Sequence, residues 1–384
     1  MATPRLATHK KCTGCMACQY ACKHGAISIQ TDSNGFVYPY VNEDNCKECG
    51  ACSRMCPILN VDKIQFRVPS KCYATKIKDE ELTKGCTSGG IAAGLSRETI
   101  RNGGVVYGAA FVPHQGVQHI RIDDESQLKL LKGSKYVESH ISSEIYKQIR
   151  IDVKSGREVL FIGTPCQVEA IESIFGKDKL KSVSFICGGV PSQDYLYSHL
   201  NSYGLKKEEI TNVIFRKGRQ YCIEAWTGDK VAYYQEEKND LYLKASDIQG
   251  YIVRPSCLRC EFCKKVRVGT FTIGDFWGIE NTECKIKDEG NLSCVVTHDK
   301  SGQEIIEGLD HVILEEVSFE EIGRSNVCLH HPRRCKGWKL LESLTRFCYP
   351  KLGFNKSVKI VEIIRLIYSI PRKIKTKMAH VIYG

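Results

Sequence analysis

The chain has no apolar run near the roughly 20 residues that a bilayer-spanning helix needs. Its longest candidates, Val105 to Val112 and Ile360 to Ile370, are too short, and the second carries Glu362 and Arg365. The reading is of a protein that is not transmembrane. The opening residues MATPRLATHKK hold no apolar stretch that could act as a signal peptide, so a reducing, cytoplasmic setting is expected. Glycine (32) and proline (11) are not in excess over 384 residues, and the chain is 42% hydrophobic and 26% charged, which excludes a collagen-like, coiled-coil or wholly disordered protein. No paired carboxylate and no cysteine–histidine arrangement stands out, so no catalytic acid, base or nucleophile is assigned.

What the chain has in abundance is cysteine: 21 residues, eleven of them in three groups at 12–22, 46–56 and 257–263. Disulfide frameworks belong mainly to small secreted domains. In a chain of this length, with two or three domains expected, clustered thiols read as metal ligands. The formal charge of +11 shrinks to roughly +5 if three 4Fe–4S cores, each about −2 with its thiolates, are present. That balance supports no nucleic-acid partner.

Residues 12–22 read CTGCMACQYAC and residues 46–56 read CKECGACSRMC, so every cysteine recurs at an offset of 34. The shared spacing, C-x2-C-x2-C-x3-C, closely resembles that of bacterial two-cluster ferredoxins. Three thiolates at two-residue gaps turn around one face of an iron–sulfur cube, and the fourth points toward the other cube. By that resemblance Cys12, Cys15, Cys18 and Cys56 hold one 4Fe–4S cluster, and Cys46, Cys49, Cys52 and Cys22 hold the second. Pro57 follows Cys56 as the motif expects, whereas Lys23 stands where a proline is usual after Cys22. A pair of zinc knuckles is the competing reading, and eight cysteines in one tandem pattern count against it. Ala26–Ile29 and Phe36–Tyr38 alternate like the strands of a short hairpin.

From residue 70 onward strand-like and helix-like patterns alternate, which predicts an α/β domain. Cys86-Thr87-Ser88-Gly89-Gly90 precedes a helical pattern at Ile91–Ile100, stopped by Asn102-Gly103-Gly104. Hydroxyls and glycines before a helix leave N–H groups at the positive end of its dipole, a place for a phosphate, although Ser88 could serve only as an N-cap. Glu158–Ile162 and Val183–Cys187 read as strands whose exits carry Cys166 and Cys187, where ligands sit in open α/β sheets. Cys257, Cys260 and Cys263 make an incomplete cluster site, and Cys166 and Cys187 are credible outside donors. A zinc ribbon would want a second CxxC downstream, and none exists.

Cys-Thr-Ser-Gly-Gly (86–90), Lys-Gly-Ser-Lys-Tyr-Val (132–137), Gly-Thr-Pro-Cys-Gln (163–167), Ile-Cys-Gly-Gly-Val-Pro-Ser (186–192) and Gly-Asp-Phe-Trp-Gly (274–278) occur in that order. Together they resemble the family of coenzyme F-420 hydrogenase/dehydrogenase beta subunits, in the version fused to an N-terminal two-cluster ferredoxin domain. The resemblance implies an FAD-binding domain beside a third 4Fe–4S cluster held by Cys166, Cys187, Cys257 and Cys260. It implies that Thr87, Ser88, Gly89 and Gly90 cradle flavin phosphates, and that Lys132, Ser134 and Lys135 contact the flavin. Asp275 is a candidate only by its place in the motif. Two departures are visible: Gly188 stands where the family usually has histidine, and Cys263 is an extra thiol able to displace Cys166 or Cys187.

The expected fold is an α+β ferredoxin-like domain over residues 1–65, an α/β flavin- and iron–sulfur-binding oxidoreductase domain over 70–340, and a basic tail over 341–384. Residues 355–384 carry seven Lys/Arg against one Glu, which fits a solvated helix closing the domain or a peripheral contact with an anionic membrane. The functional expectation is an iron–sulfur flavoprotein oxidoreductase that passes electrons between its clusters, FAD and a small organic donor or acceptor. The alternative is a non-enzymatic electron-transfer subunit serving a redox partner protein.

Overall fold

A computed structural model describes residues 6–248, 250–287, 290–335 and 337–369. The N-terminal part is a hairpin of β1 (Ile27–Thr31) and β2 (Val37–Val41) between two short helices, Ala17–Ala21 and Ala51–Arg54. The sequence repeat is a backbone repeat as well. Gly14 and Met16 adopt φ of 72° and 61°, and the residues 34 positions on, Glu48 and Gly50, adopt 49° and 68°. Left-handed turns at matching places aim the two cysteine triplets alike, and Met16 and Glu48 accept that conformation without being glycine.

The larger part is built on one mixed sheet of eight strands. They are β3 (Cys72–Ile77), β4 (Val105–Val112), β5 (Gly116–Ile122), β6 (Val159–Gly163), β7 (Lys181–Phe185), and, after a separate three-stranded sheet of β8 (Asn212–Lys217), β9 (Gln220–Thr227) and β10 (Lys230–Glu236), β11 (Phe271–Asp275), β12 (Ser293–Thr297) and β13 (Val312–Glu316). The order is β13-β3-β12-β11-β7-β6-β4-β5. The central β11, β7, β6 and β4 are parallel, and antiparallel strands flank them on both sides.

Both faces of these central strands are covered, which is why β4 and β6 read as unbroken apolar runs, whereas β7 and β11 bury Ser182, Ser184 and Thr272 within hydrogen bonds. Val106, Leu160 and Ile162 pack on one face with Ile91 and Leu95 of the helix Ile91–Arg101. Val105, Tyr107, Val159 and Phe161 pack on the other, against the helices Ser143–Lys154 and Pro165–Phe175. The parallel arrangement sets the carboxyl ends of β6, β7 and β11 side by side at one edge. The β8–β10 meander has no signal in the periodicity. It joins a separate core with the helices Gln193–Asn201 and Phe354–Ser369. Helices Trp338–Leu352 and Phe354–Ser369 thus close the domain, whereas the basic stretch from residue 370 onward lies outside the described residues.

One buried ion pair ties the two parts together. Arg254, fully buried, meets Glu138 at 2.6 Å. Its guanidinium also donates to the carbonyls of Cys12 at 3.2 Å and Val37 at 2.7 Å. Gly14 makes room for it, since a Cβ there would lie 2.6 Å from Arg254 Nη2. Replacing Arg254 by methionine leaves Glu138 buried without its partner, a loss of about 3–5 kcal/mol. A lower unfolding midpoint for Arg254→Met by anaerobic circular dichroism, partly recovered in Arg254→Met/Glu138→Gln, is the expected result.

Candidate functional site: three thiol sets and a cavity

Six of the eight N-terminal cysteines are brought together. Cys12, Cys15, Cys18 and Cys56 surround one small cavity together with Pro39 and Ile58. Cys22 and Cys52 pack together on the far side, beside Cys18 and Ile27. Cys49 is exposed and Cys46 half-buried. In the second set the sulfurs of Cys22 and Cys46 accept backbone N–H groups, from Ala26 and Glu48, each at 3.4 Å.

The four cysteines expected to hold a third cluster converge at the edge formed by the ends of β6 and β7. Thr164 precedes the helix Pro165–Phe175, with proline at its first position, and its N–H donates to Gln167 Oε1 at 3.1 Å. This cap fixes Cys166 in the first helical turn, where the dipole favours a thiolate. Cys187 leaves β7 two residues beyond Phe185. Gly189 follows it at φ 113°, and a Cβ there would stand 3.1 Å from that of Cys257. Only glycine lets the two segments approach so closely. The Arg254 N–H donates to Val190 O at 2.8 Å and holds the second segment in place. Cys166, Cys187, Cys257 and Cys260 then lie within mutual electrostatic range.

Burial pushes the thiols of Cys15, Cys166 and Cys187 up to about 12, and burial also raises Cys257 well above its ordinary value. Thiols in such surroundings ionise only against a strong positive charge, which a metal supplies. The sulfurs of Cys187 and Cys260 accept N–H groups from Gly189 and Phe262 at 3.4 Å. Nearby, the buried Arg267 guanidinium donates to Phe262 O at 2.8 Å and Phe185 O at 2.9 Å. Among the described residues no group of three His, Cys, Asp or Glu side chains is placed to hold a single metal ion. Buried thiols with amide donors at Cys187 and Cys260, and the Arg267 charge nearby, are surroundings that would suit a cluster's thiolates. The first and third sets adjoin, because Cys15 and Cys166 interact electrostatically.

Cys263 adjoins the same set. Its thiol lies 3.7 Å from Cys187 O and beside Cys260, so it touches two residues of the expected set of four.

Beyond the third set opens a cavity of about 440 Å³. Its far wall is the start of the helix Ile91–Arg101, whose N-cap Gly90 (φ 80°) has no side chain to satisfy the first N–H groups. Thr87 and Ser134, both on this wall, share a hydrogen bond of 2.8 Å. Lys135 Nζ donates to the carbonyls of Lys132 at 2.8 Å and Leu131 at 3.0 Å, and burial pulls it down to about 7. Lys132 Nζ reaches Glu81 O at 3.4 Å. Three residues serve packing as well. Ser88 Oγ bonds Leu292 O at 3.0 Å and is not the N-cap. A Cβ on Gly89 would strike Thr75 O at 2.4 Å, and one on Gly90 would strike Thr83 at 2.6 Å. The glycines are needed by the sheet and the preceding turn whatever the cavity holds.

Sequence reading missed an aromatic corner of the cavity. Tyr221 and Trp277 stack at 6.2 Å, and Arg216 lies 5.1 Å above Trp277 while pairing with Asp275 at 2.6 Å. Asp275 is thus an ion-pair partner. The family histidine position is taken by Gly188, with the Arg333 guanidinium 3.7 Å from where its Cβ would be. His119, which lines the cavity, is bonded at both nitrogens, to Ile162 O and Ser139, and burial holds it neutral near 4.

Residues 11–59 match the 4Fe-4S dicluster domain, and residues 156–321 match the C terminus of the coenzyme F420 hydrogenase/dehydrogenase beta subunits. The coenzyme F420-dependent sulfite reductase of Methanocaldococcus jannaschii is 20% identical over 334 residues, 81% of this chain and 47% of that protein. A subunit of the F(420)H(2) dehydrogenase of Methanosarcina mazei is 20% identical over 183 residues, 43% of this chain and 49% of that one. The chain spans about half the length of the curated relatives it matches. A chain from the F420-reducing [NiFe] hydrogenase complex of Methanosarcina barkeri aligns with a TM-score of 0.45 and 16% identity, over 77% of this chain and 92% of that chain. The chain is a relative of the coenzyme F420 hydrogenase/dehydrogenase beta subunits over residues 156–321, behind an N-terminal 4Fe–4S dicluster domain.

Proposed function

We propose that this chain is an iron–sulfur flavoprotein oxidoreductase: three 4Fe–4S clusters lead to FAD in the cavity, which exchanges electrons with a small organic substrate or an F420-type deazaflavin coenzyme. The observation that carries the reading is the continuity of three thiol sets, from exposed Cys49 through Cys15 and Cys166 to the wall of the cavity. Cys12, Cys15, Cys18 and Cys56 would hold the first cluster, Cys22, Cys46, Cys49 and Cys52 the second, and Cys166, Cys187, Cys257 and Cys260 the third. Clusters carry single electrons and a flavin also handles pairs, so the combination joins one-electron to two-electron chemistry.

The cavity suits a flat, phosphate-bearing ligand. The uncapped helix start at Gly90 and Lys135 face the same space and suit a diphosphate. Thr87 and Ser134 supply hydroxyls beside them, and the Tyr221–Trp277 corner offers an aromatic surface. That both curated relatives are named for coenzyme F420 supports a deazaflavin as the exchanging partner. The second reading, a relay subunit serving a separate catalytic protein, is favoured by the chain's covering only half of those relatives.

Iron and flavin content of anaerobically purified protein separates the two. About twelve iron and one FAD per chain is expected; eight iron without flavin overturns the enzyme reading and leaves the relay. Lys135 supplies a second expectation. With its amine at about 7, it is neutral above that pH and must take up a proton to pair with a phosphate. FAD affinity should then fall by up to about tenfold per unit as pH rises from 7 to 9, and the slope should vanish in Lys135→Met. Fluorescence quenching of FAD on the flavin-depleted protein measures both; equal affinity from pH 6 to 9 overturns the contact.

A further inference from the structure

The last described helix, Phe354–Ser369, is apolar on two opposite sides. Phe354, Val358 and Val361 recur at helical spacing and are buried in the core shared with the β8–β10 meander. Ile360, Ile363 and Ile367 recur at the same spacing on the other side, where they are 39, 58 and 52% exposed. A helix that only closes a domain turns polar residues outward, and one apolar on both sides belongs under a cover. The outward side is also basic. Lys356 and Lys359 are exposed beside the isoleucines. Glu362, the one acidic residue of the helix, is satisfied within the fold: it accepts from Tyr251 Oη and from Arg365 Nε, each at 2.9 Å. Arg372, Lys373, Lys375 and Lys377, outside the described residues, follow in the sequence.

We propose that this helix face seats the protein on an anionic lipid bilayer. Ile360, Ile363 and Ile367 enter the zone between headgroups and acyl chains, and Lys356 and Lys359 lie against lipid phosphates. Apolar side chains gain by leaving water for that zone, and each cation near a negatively charged leaflet adds attraction. Neither contribution anchors a protein firmly alone, and here one helix carries both. Charge decides between the covers available. A second copy of the chain, packed on the same face across a two-fold axis, would set Lys356 and Lys359 against their own counterparts. A lipid surface brings the opposite charge, and its fluid acyl chains suit isoleucines that offer no directional bond. The contact is peripheral, since among the described residues no helix is long and apolar enough to cross a membrane. Neither the clusters nor the flavin take part in it.

Sedimentation of anaerobically purified full-length protein with vesicles tests this. Partition onto phosphatidylcholine vesicles carrying about a third phosphatidylglycerol should exceed that onto phosphatidylcholine alone by more than about tenfold. It should fall severalfold between about 0.1 and about 0.5 M KCl. Ile363→Asp/Ile367→Asp should lower it at least about tenfold, with circular dichroism and iron content unchanged because both side chains face water. Ile363→Trp gives a readout that needs no loss: brominated acyl chains in the anionic vesicles should quench its fluorescence beyond that of the wild-type tryptophans. Equal partition onto both vesicles overturns the proposal, as does undiminished binding by the double aspartate variant, which would leave the charge of residues 372–377 as the whole cause. Absence of binding at low salt overturns it in favour of a protein cover. A dimer in sedimentation velocity that the two aspartates dissolve would make the face an interface between copies and overturn the lipid contact.

Discussion

The Arg254–Glu138 pair is the constraint on which the arrangement of the thiols depends. A guanidinium without access to water is tolerable only when its charge and its donors are matched. Here the match is divided between two parts of the chain: Glu138 from the large domain, and the carbonyls of Cys12 and Val37 from the N-terminal domain. The same residue's backbone N–H meets Val190, beside the loop that carries Cys187. One side chain and its own amide therefore set the first thiol set against the third. Gly14 is the counterpart of this arrangement, since any larger residue would occupy the space of the guanidinium.

Around the third set, burial and donor geometry act in opposite directions. Burial makes Cys166, Cys187 and Cys257 reluctant to ionise, whereas the neighbouring Cys263 thiol pulls Cys260 down to about 7. The helix start at Cys166, the amides of Gly189 and Phe262 and the cation of Arg267 all favour negative sulfur. Such surroundings contribute little when the thiols are protonated, and become complementary once the charge of a metal centre holds them as thiolates. The cavity beyond has the reverse character, with a lysine held close to neutrality and a helix start short of acceptors.

The N-terminal domain was legible in the sequence because its chemistry is local. An offset of 34 aligns eight cysteines, and the same offset aligns the left-handed turns. Strands β4 and β6 were legible because they are apolar on both faces, and the strand expected over Glu158–Ile162 runs Val159–Gly163. The edge elements were less readable. The β8–β10 meander carries exposed polar residues and register shifts at Val231/Tyr233 and Ile214/Arg216, so its alternation is broken. Long-range pairings left no trace at all. Nothing near Arg254 announces Glu138, and the aromatic corner of Tyr221 and Trp277 joins positions 56 residues apart.

Exposure of Cys49 against burial of Cys15 and Cys18 gives the row of thiols a direction. If the proposed clusters are present, the end at Cys49 is the one open to a protein partner, and the residues around the second cysteine triplet would meet it, among them Arg54, which is bonded to Cys49 O at 2.9 Å. The surface over which a protein partner would be chosen and the cavity in which a small molecule would be chosen thus share no residue. Each is free to diverge without disturbing the other.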